Sequence, residues 1–245
     1  MKIKSMVKYL INDFIKGYLG FAGAILLVIH LGVILAVATD GDGMLGEMEL
    51  STIIFMLIVG IISYRENLNM AVQNGISRKT YFISEAIAFA LFALTGSCVD
   101  TLYCVLGNAY ESIIENFTYD STFEQIFLLN GEVPGITDYL KGFAMQFSFE
   151  FMALSAGLLI GTGLCRLNKV LRIVIPAAMY ILLFAVIPFL DVALFDSFIS
   201  KKLASFINFV GESFSHMSVT MTIGGLVLLA VSYLFIRRVQ IVDRK

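Results

Sequence analysis

Apolar runs separated by short polar stretches repeat along the whole chain. Six can be marked, at residues 17–39, 50–64, 81–107, 139–164, 171–190 and 219–236. A helix needs about 20 apolar residues to cross a hydrocarbon layer of roughly 30 Å. Most of the six meet that length. The second is short unless it borrows residues 44–49, which leaves a tilted or partly re-entrant helix open there. The pattern predicts an all-α polytopic membrane protein with six transmembrane helices. No internal repeat, low-complexity tract or composition shift divides it, so residues 1–245 form a single membrane domain.

The segments between the runs have their own periodicity. Ile3, Met6, Val7, Leu10, Ile11 and Phe14 recur every three or four residues, with lysines, Asn12 and Asp13 on the other faces. Residues 1–16 therefore predict an N-terminal amphipathic helix lying in the interface, its apolar side among lipid and its lysines near anionic headgroups. In the loop at residues 108–138, the spacing of Tyr110, Ile113, Ile114 and Phe117 suggests a short surface helix. In the loop at residues 191–218, Phe195, Phe198, Ile199, Leu203, Phe206, Ile207 and Val210 form a stripe with Lys201, Lys202 and Ser205 off it, and Gly211 is placed to end it. An outer interfacial or re-entrant helix between spans five and six follows.

Composition supports the membrane reading: 58% of residues are hydrophobic and 15% charged, and the mean hydropathy is +0.87. That leaves too little polar surface to cover a soluble globule. The net charge of -2 hides a strong asymmetry. Lys2, Lys4, Lys8 and Lys16 precede span one; Arg65, Arg78 and Lys79 lie between spans two and three; Arg166, Lys169 and Arg172 between four and five; and Arg237, Arg238, Arg244 and Lys245 follow span six. The alternate loops are acidic. Positive residues stay on the cytoplasmic side, so both termini are expected inside and residues 108–138 and 191–218 outside. Ala36-Val37-Ala38 resembles a signal-peptide cleavage site, but the full span length and the spans that follow favour a membrane helix. Cys98, Cys104 and Cys165 make neither a disulfide framework nor a metal motif.

One inner segment stands out, residues 65–85, RENLNMAVQNGISRKTYFISE. Arg65 and Glu66 close span two, and residues 68–73 allow about two helical turns. Asn74-Gly75 is a strong stop, since both tolerate the left-handed conformation, and Ser77 can cap the next helix. Helix, break, helix is the expected product; the plainer alternative is a solvated loop with an ordinary cap. This arrangement, with six spans, inner termini and the amphipathic helices, resembles the permease subunit of ABC-2 type ATP-binding-cassette transporters. The run Asn74-Gly75-Ile76-Ser77-Arg78-Lys79-Thr80-Tyr81 is similar to the end of that family's first cytoplasmic loop, and Arg65-Glu66 to its charged opening. Glu85 departs from it, standing where relatives often carry a basic residue.

The resemblance implies a cytoplasmic coupling loop at residues 65–80, with a coupling helix within 66–74 seated on a separate nucleotide-binding subunit. Arg65, Glu66, Asn67, Leu68, Met70, Gln73, Asn74, Gly75, Ser77 and Arg78 would form the contact. It also implies a second permease copy or a sister permease, ATP and Mg bound by the partner ATPase, and export of an amphipathic compound, peptide or lipid-like molecule across a bacterial plasma membrane. The chain has no Gly-rich phosphate loop ending in Lys-Ser or Lys-Thr, so the ATPase must be another polypeptide.

Inside the spans, His30, Asp100, Gln146 and Glu150 are the polar candidates. A mid-bilayer carboxylate costs roughly 2.5–3.5 kcal/mol, so such groups face protein or water. Glu150 shares a helical face with Gln146, Ala153, Gly157 and Gly161, polar at one end and small toward the other. These residues either line a negative outer cavity suited to cationic or amphipathic cargo, or serve helix packing, with Glu150 and His30 bonded between helices and Asp100 wet. An ATP-independent secondary transporter or channel using Glu150 and His30 is the competing function. An intramembrane enzyme lacks support, since the chain has only His30 and His216 as histidines and no motif around either.

Overall fold

A computed structural model describes residues 2–39, 43–114, 117–128, 134–164, 171, 174 and 197–237. Among the described residues, seven helices and two short strands follow in order: α1 (Lys2–Thr39), β1 (Gly43–Gly46), α2 (Met48–Gln73), α3 (Arg78–Glu111), β2 (Phe117–Asp120), α4 (Thr122–Phe127), α5 (Ile136–Leu164), α6 (Phe198–Gly211) and α7 (Phe214–Arg237). Among the described residues, α1, α2, α3, α5 and α7 are long and apolar enough to cross a membrane. The molecule is a helical membrane protein. The fifth expected span, residues 171–190 with Pro176 and Pro188, lies outside the described residues apart from positions 171 and 174.

The N-terminal amphipathic segment is not a separate interfacial helix. It runs unbroken into span one as a 38-residue helix, about 57 Å long. Its stripe of Met6, Leu10, Phe14 and Tyr18 is buried in the main core with Tyr64, Leu68, Ala71, Tyr81, Phe89 and Phe92 of α2 and α3. Aromatic contacts hold it there: Phe14 to Phe92 at 5.3 Å between ring centroids, Tyr18 edge-on to Phe92 at 5.5 Å and Phe21 stacked on Phe55 at 4.5 Å. The apolar face expected among lipid is covered by this chain instead.

Span two takes only Met48 and Glu49 from the expected 44–49 extension. Its helix begins at Met48, and residues 43–46 form β1 instead of extending it. The extra turns come from the other end, where α2 continues past Tyr64 to Gln73. α5 sits centrally, packed by α2, α3 and α7. Against α2 the approach is backbone to backbone: a β-carbon on Gly157 would meet Gly60 Cα at 2.9 Å and Ile61 N at 2.9 Å, and one on Gly161 would press on the carbonyl of Ile61. Small residues permit this close approach and the dispersion contact it brings. Against α7, Phe151 fills the space beside Gly225.

Beyond the ends of α1 and α3 the chain is not purely helical. β1 and β2 pair in parallel, Gly43 opposite Phe117 and Gly46 opposite Asp120, and Glu47 N donates to the Asp120 carbonyl at 3.1 Å. The surface helix expected from Tyr110, Ile113, Ile114 and Phe117 is therefore absent. Tyr110 belongs to the last turn of α3, Ile113 and Ile114 to the turn after it, and Phe117 opens β2. The helix of this region is α4, capped by Ser121 and Glu124 in a reciprocal capping box. A helix is present where the stripe of residues 198–210 predicts one: α6, just before α7, with Phe198, Ile199, Leu203, Phe206 and Ile207 exposed and Val210 buried; Phe195 lies outside the described residues.

Candidate functional site

Two polar sites stand at different levels of the bundle. The first is the turn between α2 and α3. Gly75 has φ +67°, a left-handed conformation that costs glycine little, and Ile76 N returns to the Ala71 carbonyl at 2.9 Å to close the α2 terminus. Ser77 Oγ accepts from Thr80 N at 3.2 Å and caps α3. The expected break and cap are both present. What differs is the short coupling helix: it is the end of α2, with Arg65 and Glu66 inside the helix and not at its close.

The candidate contact residues divide by burial. Asn67, Leu68 and Ala71 are buried in the core. Asn69, Gln73, Asn74, Gly75 and Ser77 are exposed, and Met70 is half-buried. Arg78 Nη1 donates to the carbonyl of Arg237 at 3.0 Å, tying the start of α3 to the last residue of α7. Cationic donors suit unpaired carbonyls at a helix C-terminus. Glu85, the residue at odds with the family pattern, is fully buried close to Tyr81.

The second site lies within the spans, where α2, α3 and α5 meet. Asp100 is 1% exposed, not wet. Thr52 Oγ1 donates to Asp100 Oδ1 at 2.9 Å and Gln146 Nε2 donates to Asp100 Oδ2 at 2.9 Å. Gln146 also reaches the Glu49 backbone carbonyl at 3.3 Å. The Glu49 side chain accepts from Cys104 Sγ at 3.1 Å and from Thr122 Oγ1 at 3.1 Å. One helical turn deeper, Glu150 is buried completely and neither of its oxygens has a hydrogen-bond donor among the described residues. Its carboxyl occupies the space a side chain on Gly96 would need, beside Met56.

His30 is apart from this cluster. Its Nδ1 lies 2.8 Å from the Leu26 carbonyl and its Nε2 3.0 Å from Tyr110 Oη. It bonds between helices as one expectation had it, but with Tyr110 and not with Glu150. Glu49, Thr52 and Gly96 were not legible as site residues. Glu49 reads as loop charge, and its position three residues before Thr52 was the only signal that both share a face.

A recess opens toward this junction from the end that carries Glu111, Asp120 and Glu124. It is lined by Glu49, Asp100, Gln146, Glu124, Asp138 and Tyr139, and its ≈ 20 Å³ of space for the centre of a water-sized sphere is room for about one water. Asn108 Nδ2 bridges Glu124 Oε1 at 2.8 Å and Tyr139 Oη at 2.9 Å on its wall. Nearby in β2, burial pushes the Tyr119 phenol well above its usual range, with Cys104 and Glu49 adding to the effect. No group of three or more His, Cys, Asp or Glu among the described residues is placed to hold a metal ion.

Fold and sites together define a helical membrane protein with a rigid polar turn at one end and a buried carboxyl junction within. Comparison with protein-family models, curated proteins and solved structures finds no match to this chain.

Proposed function

We propose that this chain is the membrane-spanning permease subunit of an ABC-2 type transporter, worked by a separate ATPase through the turn between α2 and α3. The observation that supports it most is the construction of that turn. Asn69, Gln73, Asn74 and Ser77 are exposed on a segment whose other face, Asn67, Leu68 and Ala71, is fixed in the core. Arg78 ties the same segment to α7. A push on the exposed face is therefore carried into α2, α3 and α7 together. A continuous helix transmits such a displacement more stiffly than a separate one on a flexible joint.

Six spans with both termini cytoplasmic complete the reading. α5 ends beside the region of Ile61 in α2, toward the lysine-rich end, while Phe214 opens α7 next to Phe123 at the acidic end. The expected fifth span, residues 171–190, would be the sixth crossing of this reading. Two such chains, or one with a sister permease, would join two ATPases that bind ATP and Mg, and would export an amphipathic compound, peptide or lipid-like molecule across the plasma membrane. The competing secondary-transport reading has the buried carboxyls in its favour, but His30 is engaged with Tyr110 rather than Glu150.

The test is co-purification with the ATPases encoded beside this chain, for the wild type and for Asn69→Arg/Gln73→Arg. Both positions are exposed, so the double variant should keep the wild-type melting temperature while losing ATPase retention. If the wild type holds no ATPase, or the double variant holds it with unchanged ATP turnover, the chain is not coupled this way.

A further inference from the structure

The buried carboxyl junction goes beyond a transport subunit's coupling turn and does not depend on it. α3 and α5 run antiparallel, so that Asp100 meets Gln146 and, one turn along both helices, Gly96 meets Glu150. α2 closes the third side with Thr52 on Asp100 and Met56 beside Gly96. α1 adds Tyr18, whose Oη donates to the Gly96 carbonyl at 3.4 Å. Glu150 thus points into the centre of a helix junction, fully buried, with both oxygens unpartnered among the described residues.

Among the described residues, the titratable groups facing it are Asp100 and Cys98 from α3 and Tyr18 from α1, with Glu49 of α2 facing Asp100. None is a cation, and the described part of α7 against α5 brings Gly225 and no charged group to this level. Two adjacent carboxylates stripped of water and cation repel one another, and holding one proton relieves both penalties. The hydrogen bonds decide which group keeps the charge. Asp100 accepts from Thr52 and Gln146, whereas the Glu150 oxygens have no hydrogen-bond partner among the described residues.

We propose that Asp100 and Glu150 form a proton-binding site within the bundle, one proton residing on Glu150 and exchanging with water through Asp100 and the recess beside Glu49 and Glu124. Loading takes a proton from water in the recess, forms one O–H bond on Glu150 and leaves the Asp100 carboxylate on its two donors. Unloading reverses this and leaves two negative charges between α3 and α5, which weakens their packing. The linkage has a definite sign: the contribution to stability is full in acid and is lost as pH rises through the release of that proton.

Infrared spectra of the full chain in lipid nanodiscs, taken from about pH 5 to about pH 9, test this. The wild type should show the carbonyl stretch of a protonated carboxylic acid at neutral pH, shifting in deuterated water and vanishing at alkaline pH. In a Glu85→Gln background, which removes the other fully buried carboxyl without a hydrogen-bond partner among the described residues, Glu150→Gln should lack it. Exchanging potassium for sodium at constant ionic strength should leave the band in place. A wild type without the band at neutral pH, a band that survives Glu150→Gln in the Glu85→Gln background, or one that sodium removes would overturn the site. Melting temperatures give a second reading: the wild type should lose stability toward alkaline pH and Glu150→Gln should not, and equal losses in the two would sink the proposal.

Discussion

Gly157 and Gly161 show how much a single hydrogen atom in place of a side chain decides at the residue scale. Each meets α2 backbone directly, at Gly60 and Ile61, and the distance between the helices sets how Gln146 and Glu150 reach Asp100 further along α5. Gly157→Leu should force the two helices apart and destabilise the bundle by about 1–3 kcal/mol, read as a lower melting temperature in detergent. Gly163→Ala, whose new β-carbon meets none of the described residues within contact distance, should change stability by no more than about 0.5 kcal/mol. A shared face of Ala153, Gly157 and Gly161 was visible as spacing. Its partner was not, because nothing in the order of residues says which of the other spans stands opposite.

At the scale of elements, local chemistry and packing made different decisions. Asn74-Gly75 followed by Ser77 ends one helix and starts the next by hydrogen bonds that lie within a few residues, so the break was readable directly. Ser77→Ala should cost about 1 kcal/mol at the start of α3, seen as faster hydrogen exchange at residues 78–81 with the rest of the bundle unchanged. The amphipathic N-terminus was readable as a helix, but its periodicity is the same whether lipid or protein covers the apolar face. Phe14 and Tyr18 settle it by packing on Phe92. Phe14→Ala should accordingly destabilise the folded bundle by about 3–5 kcal/mol, measured by thermal unfolding, where an interfacial anchor would lose only membrane affinity. The pair β1 and β2 is the other case. Four-residue strands carry little local signal, and their bonds join residues more than seventy positions apart.

For the whole molecule, charge placement and helix direction agree. Lys4, Lys8, Arg78, Lys79 and Arg237 fall toward one end, and Glu47, Glu111, Asp120 and Glu124 toward the other. Lys201 and Lys202 in α6, which packs on the start of α7, go against this division. Orientation can be measured with single cysteines placed in a background lacking Cys98, Cys104 and Cys165. Asn69→Cys should be shielded from an impermeant maleimide in intact cells and react after permeabilisation, while Ile113→Cys should react in both. The reverse pattern would invert the topology, put the turn between α2 and α3 out of reach of any cytoplasmic ATPase and so overturn the proposed coupling. By itself the amino-acid order determined what depends on composition and short-range bonding: a helical membrane chain, its charge polarity, the Asn74-Gly75 break and the Ser77 cap. Only the tertiary structure decided that α2 continues through residues 65–73, that the N-terminal stripe is core, and that Glu49, Thr52, Asp100 and Glu150 converge. Those outcomes rest on contacts between residues distant in the chain, whose free energy exists only once the helices have been brought together.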